Sequence, residues 1–150
     1  MIIRELNNYE DKPLSLLLSA DPSQNSINDC VKRGTCFVAE EQKKIIGVFV
    51  LLPTRPGTIE LANIAVTESR QGEGIGKQLI LAAIEKAKVD GYKIIEVGTG
   101  NSSIGQLALY QKCHFRIIGI DMNFFTKYYT SNIFENGIQC IDMIRLSQNL

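Results

Sequence analysis

Apolar residues recur along the chain at two spacings, one typical of strands and the other typical of helices. Seven short apolar runs, most of them rich in β-branched residues, predict strands. They are MIIREL, TCFVAE, KIIGVFVLL, TIELANIAV, KIIEVG, FRIIGID and QCIDMIRL. Helical spacing and helix-end signals predict four helices between these runs, over about 8–20, 21–34, 75–88 and 102–113.

The ends of two of these helices carry specific signals. Asp21 is the expected cap of the second helix, Pro22 fits its first turn and Gly34 follows its end. The third helix, over 75–88, has the clearest apolar face. Because that helix joins the strands TIELANIAV and KIIEVG, these two strands are expected to be parallel within a mixed α/β sheet.

The segment RQGEGIGKQ, residues 70–78, contains three glycines at the entrance of the third helix. A glycine inside a helix costs about 0.5–1 kcal/mol relative to alanine, so three of them there require a reason. A strand, a glycine-rich turn and a helix N-terminus together form an anion site, because free N–H groups converge and the helix dipole is positive. The glycines also let the backbone approach a phosphate closely. The loop therefore predicts a site for a phosphate-bearing ligand.

Two common phosphate-binding loops do not fit this segment. A P-loop needs glycine where the chain has Gln71, and Ser or Thr where it has Gln78. The dinucleotide fingerprint, G-x-G-x-x-G, needs two residues between its second and third glycines, whereas one residue separates Gly74 from Gly76. A near match to that fingerprint begins at Gly98, with Ser103 in place of the third glycine and Asp121 as the ribose-binding acid. A dinucleotide site there is a minor alternative.

Length and charge narrow the class of ligand. The 150 residues fit a single domain, 1–150, which at this size buries about 68–70 % of its unfolded surface. The 16 basic and 16 acidic residues balance, which argues against nucleic acid as a partner. We do not expect the polar N-terminus to be a signal peptide, and no apolar run is long enough to span a membrane. We expect a soluble cytoplasmic protein that binds a small ligand and no membrane.

The four cysteines, Cys30, Cys36, Cys113 and Cys140, do not have the spacing of metal ligands. We expect them to be reduced and mostly buried, as small apolar residues. No metal site is predicted.

Two motifs carry a resemblance to a known family. Gln71, Gly74 and Gly76 form the pattern Q-x-x-G-x-G within LANIAVTESRQGEGIGKQLI, and NSSIGQLALYQKCHF follows at the next helix. Both motifs, and the order of elements over almost all of the chain, resemble the GNAT superfamily of acyl-CoA-dependent N-acetyltransferases. The resemblance implies a GNAT-like α/β fold, with a mixed central sheet of about seven strands flanked by about four helices. It also implies acetyl-CoA as acyl donor, and a homodimer is plausible for this class.

The resemblance further implies where coenzyme A binds. Backbone amides of about 71–76 would hold its pyrophosphate, and the strand end 64–66 would pair with the pantetheine arm beside KIIEVG. The predicted cofactor contacts are Ile64, Ala65, Val66, Gln71, Gly72, Glu73, Gly74, Ile75, Gly76, Lys77 and Asn101. For Asn101 the alternative is a cap on the following helix. Arg70 and Lys112 are interpreted as surface charges.

The resemblance also suggests two catalytic residues. Tyr110 occupies the family's tyrosine position and would protonate the departing thiolate; the alternative is a core-filling tyrosine. Glu60 enters the central strand where some members carry a catalytic glutamate, and it would accept the amine proton through a water. Its alternative is a solvated charge at a strand end, and Glu96 is the next candidate base. A backbone N–H near Val66 is the expected oxyanion donor.

Two other features have open interpretations. His114 stands where the family usually has glycine and predicts a locally altered turn rather than a catalytic base. The aromatic-rich segment 121–138 forms either a lid or acceptor-pocket wall, or packs on the sheet. The predicted function is acetyl transfer to a primary amine, by direct attack in a ternary complex. A non-catalytic coenzyme A sensor is the alternative. The acceptor is a small molecule or peptide whose identity the sequence does not reveal.

Overall fold

The computed structural model describes all 150 residues. It contains five α-helices and nine strands. The helices are α1 Leu14–Ala20, α2 Gln24–Arg33, α3 Ile75–Val89, α4 Ile104–Lys112 and α5 Phe124–Tyr128. The strands are β1 Ile2–Glu5, β2 Thr35–Glu41, β3 Lys44–Arg55, β4 Thr58–Val66, β5 Ile94–Gly100, β6 Arg116–Asp121, β7 Ile133–Glu135, β8 Ile138–Cys140 and β9 Met143–Asn149.

Seven strands form one mixed sheet in the order β1-β2-β3-β4-β5-β9-β6, and β7 and β8 form a separate hairpin. All neighbours in the large sheet are antiparallel except β4 and β5, which are parallel and are joined by α3. The prediction of a seven-stranded mixed sheet with this parallel pair is confirmed.

Helices cover both faces of the sheet, so the core is divided into two clusters. The larger cluster lies under α3 and α4 and includes Phe49, Leu79 and Tyr110. The smaller cluster lies under α1 and α2 and includes Leu17 and Ile27. Successive residues of a strand point to opposite faces, and helices cover both faces of this sheet. The strands between the helix layers are therefore apolar on both sides.

A bulge in the middle of β4 determines where the sheet opens. Val50 of β3 pairs with Asn63, and the next residue of β3 pairs with Leu61, so Ala62 has no partner. One extra residue bends β4 and interrupts its pairing with β3 locally, and regular pairing resumes from Asn63 to Val66. On the other side of β4, pairing with β5 stops at Leu61 and Val97. The two parallel strands separate from that point on.

The first two helices differ from the prediction at their N-termini. The first helix begins at Leu14 rather than near residue 8, because the preceding segment is a loop held by the ion pair of Arg4 and Glu10. Asp21 is not the cap of the second helix. Ser23 takes that role, accepting a hydrogen bond from the N–H of Ser26 at 3.2 Å, while Asp21 accepts one from the N–H of Ser23.

The segment after β6 contains more regular structure than the sequence indicated. The helix α5 and the β7–β8 hairpin both lie between residues 121 and 140, so the fold has five helices rather than about four. The final predicted strand is also divided, because Cys140 ends β8 and β9 begins at Met143. Short elements of three to five residues carry too little periodicity to be recognised in a sequence.

Candidate active site

The glycine loop forms an open cradle at the entrance of α3. Gly72 and Gly74 have φ angles of 83° and 84°, in the left-handed region that favours glycine, and Gly74 is the residue preceding the helix. A methyl group added to either glycine would meet nothing within 4 Å. The backbone N–H groups of 72–77 donate no hydrogen bond, and the first helical donor is Gln78, to the carbonyl of Gly74. These residues fit a phosphate group, since free donors and open space coincide at a helix N-terminus.

Side chains next to the cradle fix its position. Arg70 forms ion pairs with Glu41 at 3.2 Å and with Glu73 at 3.0 Å, and Gln71 donates to the carbonyl of Val66 at 3.1 Å. The carboxylate of Glu73 is therefore occupied by Arg70, so any contact of Glu73 with a ligand would come from its backbone. Lys77 is exposed in the first turn of α3 and forms no salt bridge.

The cradle adjoins the gap between β4 and β5. A methyl group on Gly76 would lie 3.9 Å from Val66 at the end of β4 and 3.8 Å from Leu109 of α4. Ile64 and Val66 are partly buried against the larger core cluster, whereas Ala65 faces the smaller cluster. Since residues 62–66 have lost their β5 neighbour, one edge of this strand is free to pair with another extended chain.

Glu60 and Glu96 lie together at the other end of this gap. They are directly paired across β4 and β5, and both line a cavity of about 230 Å³. Burial raises the pKa of the Glu60 carboxyl and is the largest effect. Arg145 and Arg33 lower this pKa and Glu96 raises it, each more weakly. A partly buried carboxylate with a raised pKa is a suitable proton acceptor. The alternative, a freely solvated charge at a strand end, does not fit this position.

Two arginines that the sequence analysis did not select complete the charged lining of the cavity. Arg55 Nη2 lies 2.8 Å from Glu96 Oε1, but the angle is too poor for a hydrogen bond. Arg145 reaches the cavity from β9, where its register partner in β5 is Gly98. The only sequence signal for Arg145 was a charge inside the apolar run QCIDMIRL.

Tyr110 is buried in the larger core cluster and only 2 % exposed. Its ring packs edge-on against Phe115, and its hydroxyl oxygen accepts a hydrogen bond from Gln106 Nε2 at 3.1 Å. Burial raises the pKa of the phenol to about 12, so it keeps its proton at neutral pH. Tyr110 therefore fills the core and also has an O–H that no protein acceptor uses.

Asn101 is engaged with the chain segment before β9. Its side-chain oxygen accepts hydrogen bonds from the N–H groups of Ile141 and Asp142, and its Nδ2 donates to the carbonyl of Gln139. It is not the cap of α4, which begins after Ser103. The cap alternative is therefore wrong, and the cofactor contact stays a prediction.

His114 takes the left-handed conformation that a glycine would adopt at the end of α4, with φ of 74°. The N–H groups of His114 and Phe115 donate to the carbonyls of Gln111 and Tyr110. This pair of hydrogen bonds is the usual helix ending, so the expectation of an altered turn is wrong. The histidine adopts the ordinary turn at some cost in strain.

The aromatic residues of 121–138 lie beside the charged cavity. Phe124 and Phe125 pack against each other, and the guanidinium of Arg145 lies 5.7 Å over the ring of Phe124. Tyr129 donates a hydrogen bond to Asp21 at 2.7 Å, which ties the segment to the connection between α1 and α2. The segment packs on the sheet and also supports one residue of the cavity wall.

The remaining sequence predictions concern sites outside the cavity. All four cysteines are free and buried, as expected. No three His, Cys, Asp or Glu side chains cluster as metal ligands, and no helix has the length and apolar character needed to cross a bilayer. The near match to a dinucleotide fingerprint is wrong, because Gly98 and Gly100 belong to β5 itself and Asp121 pairs with Arg145.

A sheet that opens between two parallel strands beside a glycine cradle is the arrangement of an acyl-CoA-dependent acetyltransferase. The model of the Acetyltransferase (GNAT) family matches residues 4–115. The chain therefore belongs to the GNAT acetyltransferase family, which confirms the family and the enzyme class expected from the sequence.

Several relatives are similar over nearly the whole chain. "Uncharacterized N-acetyltransferase YvbK" from Bacillus subtilis (strain 168) is 56 % identical over 140 residues, which are 93 % of this chain and 90 % of that protein. The structure titled "IAA acetyltransferase from Bacillus cereus ATCC 14579" has 54 % identity and a TM-score of 0.96, covering 99 % of both chains. A GNAT family acetyltransferase from Elizabethkingia anophelis, solved with acetyl-CoA bound, has 46 % identity and a TM-score of 0.97, covering 99 % of this chain and 97 % of its own.

Proposed function

We propose that this protein transfers an acetyl group from acetyl-CoA to a primary amine, by direct attack within a ternary complex. The observation that carries this proposal is the continuity of three features. Free amides of 72–77 open onto the strand edge of 62–66, and that edge leads to the cavity containing Glu60. The acetyl-CoA bound to the Elizabethkingia anophelis relative supports the choice of acyl donor.

The cofactor contacts are proposed from the same geometry. The amides of Gly72, Glu73, Gly74, Ile75 and Gly76 would hold the pyrophosphate, and Gln71 would fix the loop against β4. The edge of β4 at 64–66 would hold the extended arm through backbone hydrogen bonds. Lys77 adds a positive charge at the exposed side of the cradle. A contact of Asn101 with the cofactor would come from its backbone, or from its side chain after a rearrangement.

Each chemical step is assigned to a group of this chain. Acetyl-CoA supplies the acetyl group as an activated thioester. Glu60 accepts the proton of the acceptor ammonium, through a water, and leaves the amine free to attack. A backbone N–H near Val66 donates to the carbonyl oxygen as negative charge develops there. As the C–S bond breaks, Tyr110 Oη donates its proton to the leaving sulfur, with Gln106 orienting the phenol. The attacking nitrogen loses a proton as the amide forms, and this proton restores the phenol.

The whole chain, 1–150, is proposed to act as one domain. Support comes from β6 and β9, which follow the segment matched by the family yet pair into the same sheet. Arg145 of β9 also lines the cavity that Glu60 occupies.

Binding and turnover can be tested separately. Purified protein is heated with acetyl-CoA, coenzyme A or NAD, each at about 100 times an expected dissociation constant, where a bound ligand adds about 2.7 kcal/mol. Stabilisation by the coenzyme A compounds and not by NAD supports the cradle, and no stabilisation contradicts it. Thiol release is then measured with a panel of primary amines. Binding without release from any amine would favour the coenzyme A sensor over the enzyme.

A further inference from the structure

The guanidinium of Arg145 is held in place by two neighbours, Asp121 and Phe124. Its Nε and Nη2 donate to Asp121 Oδ2 at 2.9 and 2.6 Å, and the group lies over the ring of Phe124. The missing side chain at Gly98 leaves room for two residues of β9, since a methyl group there would lie 2.7 Å from Met143 Sδ and 3.4 Å from Arg145 Nη1. Arginine at a half-buried site with fixed orientation is pre-organised to bind a planar anion.

One edge of this guanidinium stays free. Arg145 Nη1 donates no hydrogen bond to the protein, although Nε and Nη2 are both engaged. The Arg145 side chain lines the same cavity as Glu60, the proposed base. The Arg145 side chain is 33 % exposed, so this donor is accessible to a ligand that enters the cavity.

The charges of the cavity distinguish between classes of acceptor. Glu96 is matched by Arg55, which leaves Glu60 as the carboxylate available for an ammonium group. Arg145 is paired in the same way with Asp121, so a polyamine would meet only weak repulsion there and would leave the free Nη1 donor unused. An acceptor with one ammonium and one carboxylate would instead meet Glu60 and Arg145. The cavity, at about 230 Å³, is below the range of about 300–1,000 Å³ of drug-sized ligands, so a small molecule fits.

We propose that the acceptor is a small amine that carries a carboxylate, such as a free amino acid, and that Arg145 binds this carboxylate. The inference rests on the proposed acetyl transfer at the same cavity. It makes Arg145 a specificity-determining residue, which acts on acceptor binding rather than on the transfer itself.

The test compares each amino acid with its amide, which keeps the amine and removes the negative charge. L-Leucine is paired with L-leucinamide and β-alanine with β-alaninamide, and spermidine represents polycationic acceptors. We expect at least one acid to exceed its amide in kcat/KM by about tenfold or more, the usual effect of one charge-assisted hydrogen bond. An amide or spermidine that is preferred over both acids would overturn the inference.

Variants then assign the effect to Arg145. Arg145→Gln should raise the KM for the acid by about tenfold or more and reduce the preference for acid over amide to about one. kcat and the KM for acetyl-CoA should stay near those of the wild type, at a pH on the plateau of the rate profile. Arg145→Lys should restore part of the preference, because it keeps the charge. Lys88→Gln, which removes an exposed cation of α3, should change nothing. A preference that survives in Arg145→Gln contradicts the assignment.

A binding measurement separates this inference from the proposed function. L-Leucine and L-leucinamide, and the β-alanine pair, are titrated into the coenzyme A-loaded protein by calorimetry, which requires no turnover. If an acid binds through Arg145 and no amine is acetylated, the carboxylate site stands and the acetyl transfer is overturned. If amines are acetylated but neither acid binds better than its amide, the transfer stands and the carboxylate site is overturned.

Discussion

Glu60 of β4 and Glu96 of β5 are direct partners across the parallel strands, one residue before the strands separate. Two identical carboxylates at one cavity have different surroundings there. Glu96 lies 2.8 Å from Arg55, whereas Glu60 forms no salt bridge and is partly buried. Burial and the neighbouring Glu96 raise the pKa of Glu60, and this difference assigns the proposed role of base to Glu60.

Glu60→Gln should lower kcat/KM by about 10²–10⁴, the usual contribution of a general base. In the wild type, activity should fall as the pH decreases through the raised pKa of Glu60, because a protonated carboxyl cannot accept the amine proton. Rates measured across the acidic range check both points. Glu96→Gln is the matched control. It removes a negative charge that raises the pKa of Glu60, so the acidic limb of the pH–rate profile should move to lower pH while most activity remains. A normal rate in Glu60→Gln would transfer the role to water or to Glu96.

Gly76→Ala should weaken binding of acetyl-CoA by about tenfold or more, because the added methyl group occupies the space between the cradle and the strand gap. Folding should not suffer, since the methyl group meets only ordinary contacts at 3.8 and 3.9 Å and alanine is the better helix former by about 0.5–1 kcal/mol. Calorimetry and denaturant unfolding measure the two effects separately. Glu85→Ala, on the exposed face of α3, should leave affinity unchanged. Equal affinity in Gly76→Ala would remove this glycine from the site.

Tyr110→Phe should reduce kcat and leave the affinity for acetyl-CoA nearly intact, because the lost hydroxyl acts mainly on the transition state. The ring is kept, so packing against Phe115 is preserved. Tyr92→Phe removes a hydroxyl from a partly buried tyrosine that also packs on the larger core cluster, and it should have no effect on rate. An unaltered kcat in Tyr110→Phe would leave Tyr110 as a core residue only.

His114→Gly should stabilise the fold by about 0.5–1 kcal/mol. Glycine removes the strain of the left-handed backbone at φ of 74°, and its greater freedom in the unfolded chain offsets part of the gain. The change is measured by denaturant unfolding, at constant m-value. His114→Ala is the comparison, because alanine is strained in the same way and should bring no gain. Equal stabilities of the two variants would contradict the strain argument.

The four cysteines should not react with a chromogenic disulfide reagent in the native protein at about pH 8, and should all react after denaturation. Each is less than a tenth exposed. Burial also raises the pKa of the Cys30 and Cys36 thiols to about 11, so little thiolate is present. A thiol count on protein free of coenzyme A gives the answer. A rapidly reacting native thiol would show that one of these sites opens in solution.

The central part of the fold could be predicted from the sequence because it depends on local signals. The glycines at 72 and 74 mark left-handed backbone, and the apolar face of α3 predicts a helix that joins two parallel strands. Ser23 as a cap was missed because neighbouring residues with similar propensity compete within a few positions of a helix end. The helix α5 was missed because its five residues carry too little periodicity.

The sequence by itself determined most of the elements, the glycine loop and the residue types that suit acetyl transfer. These follow from periodicity and from backbone conformations that few residues tolerate. Only the tertiary structure brought Arg145 of β9 into the cavity with Glu60. Likewise, only the fold engaged Asn101 with the chain before β9. Such contacts join residues separated by tens of positions, and the pairing register that aligns them is set by packing of the whole sheet.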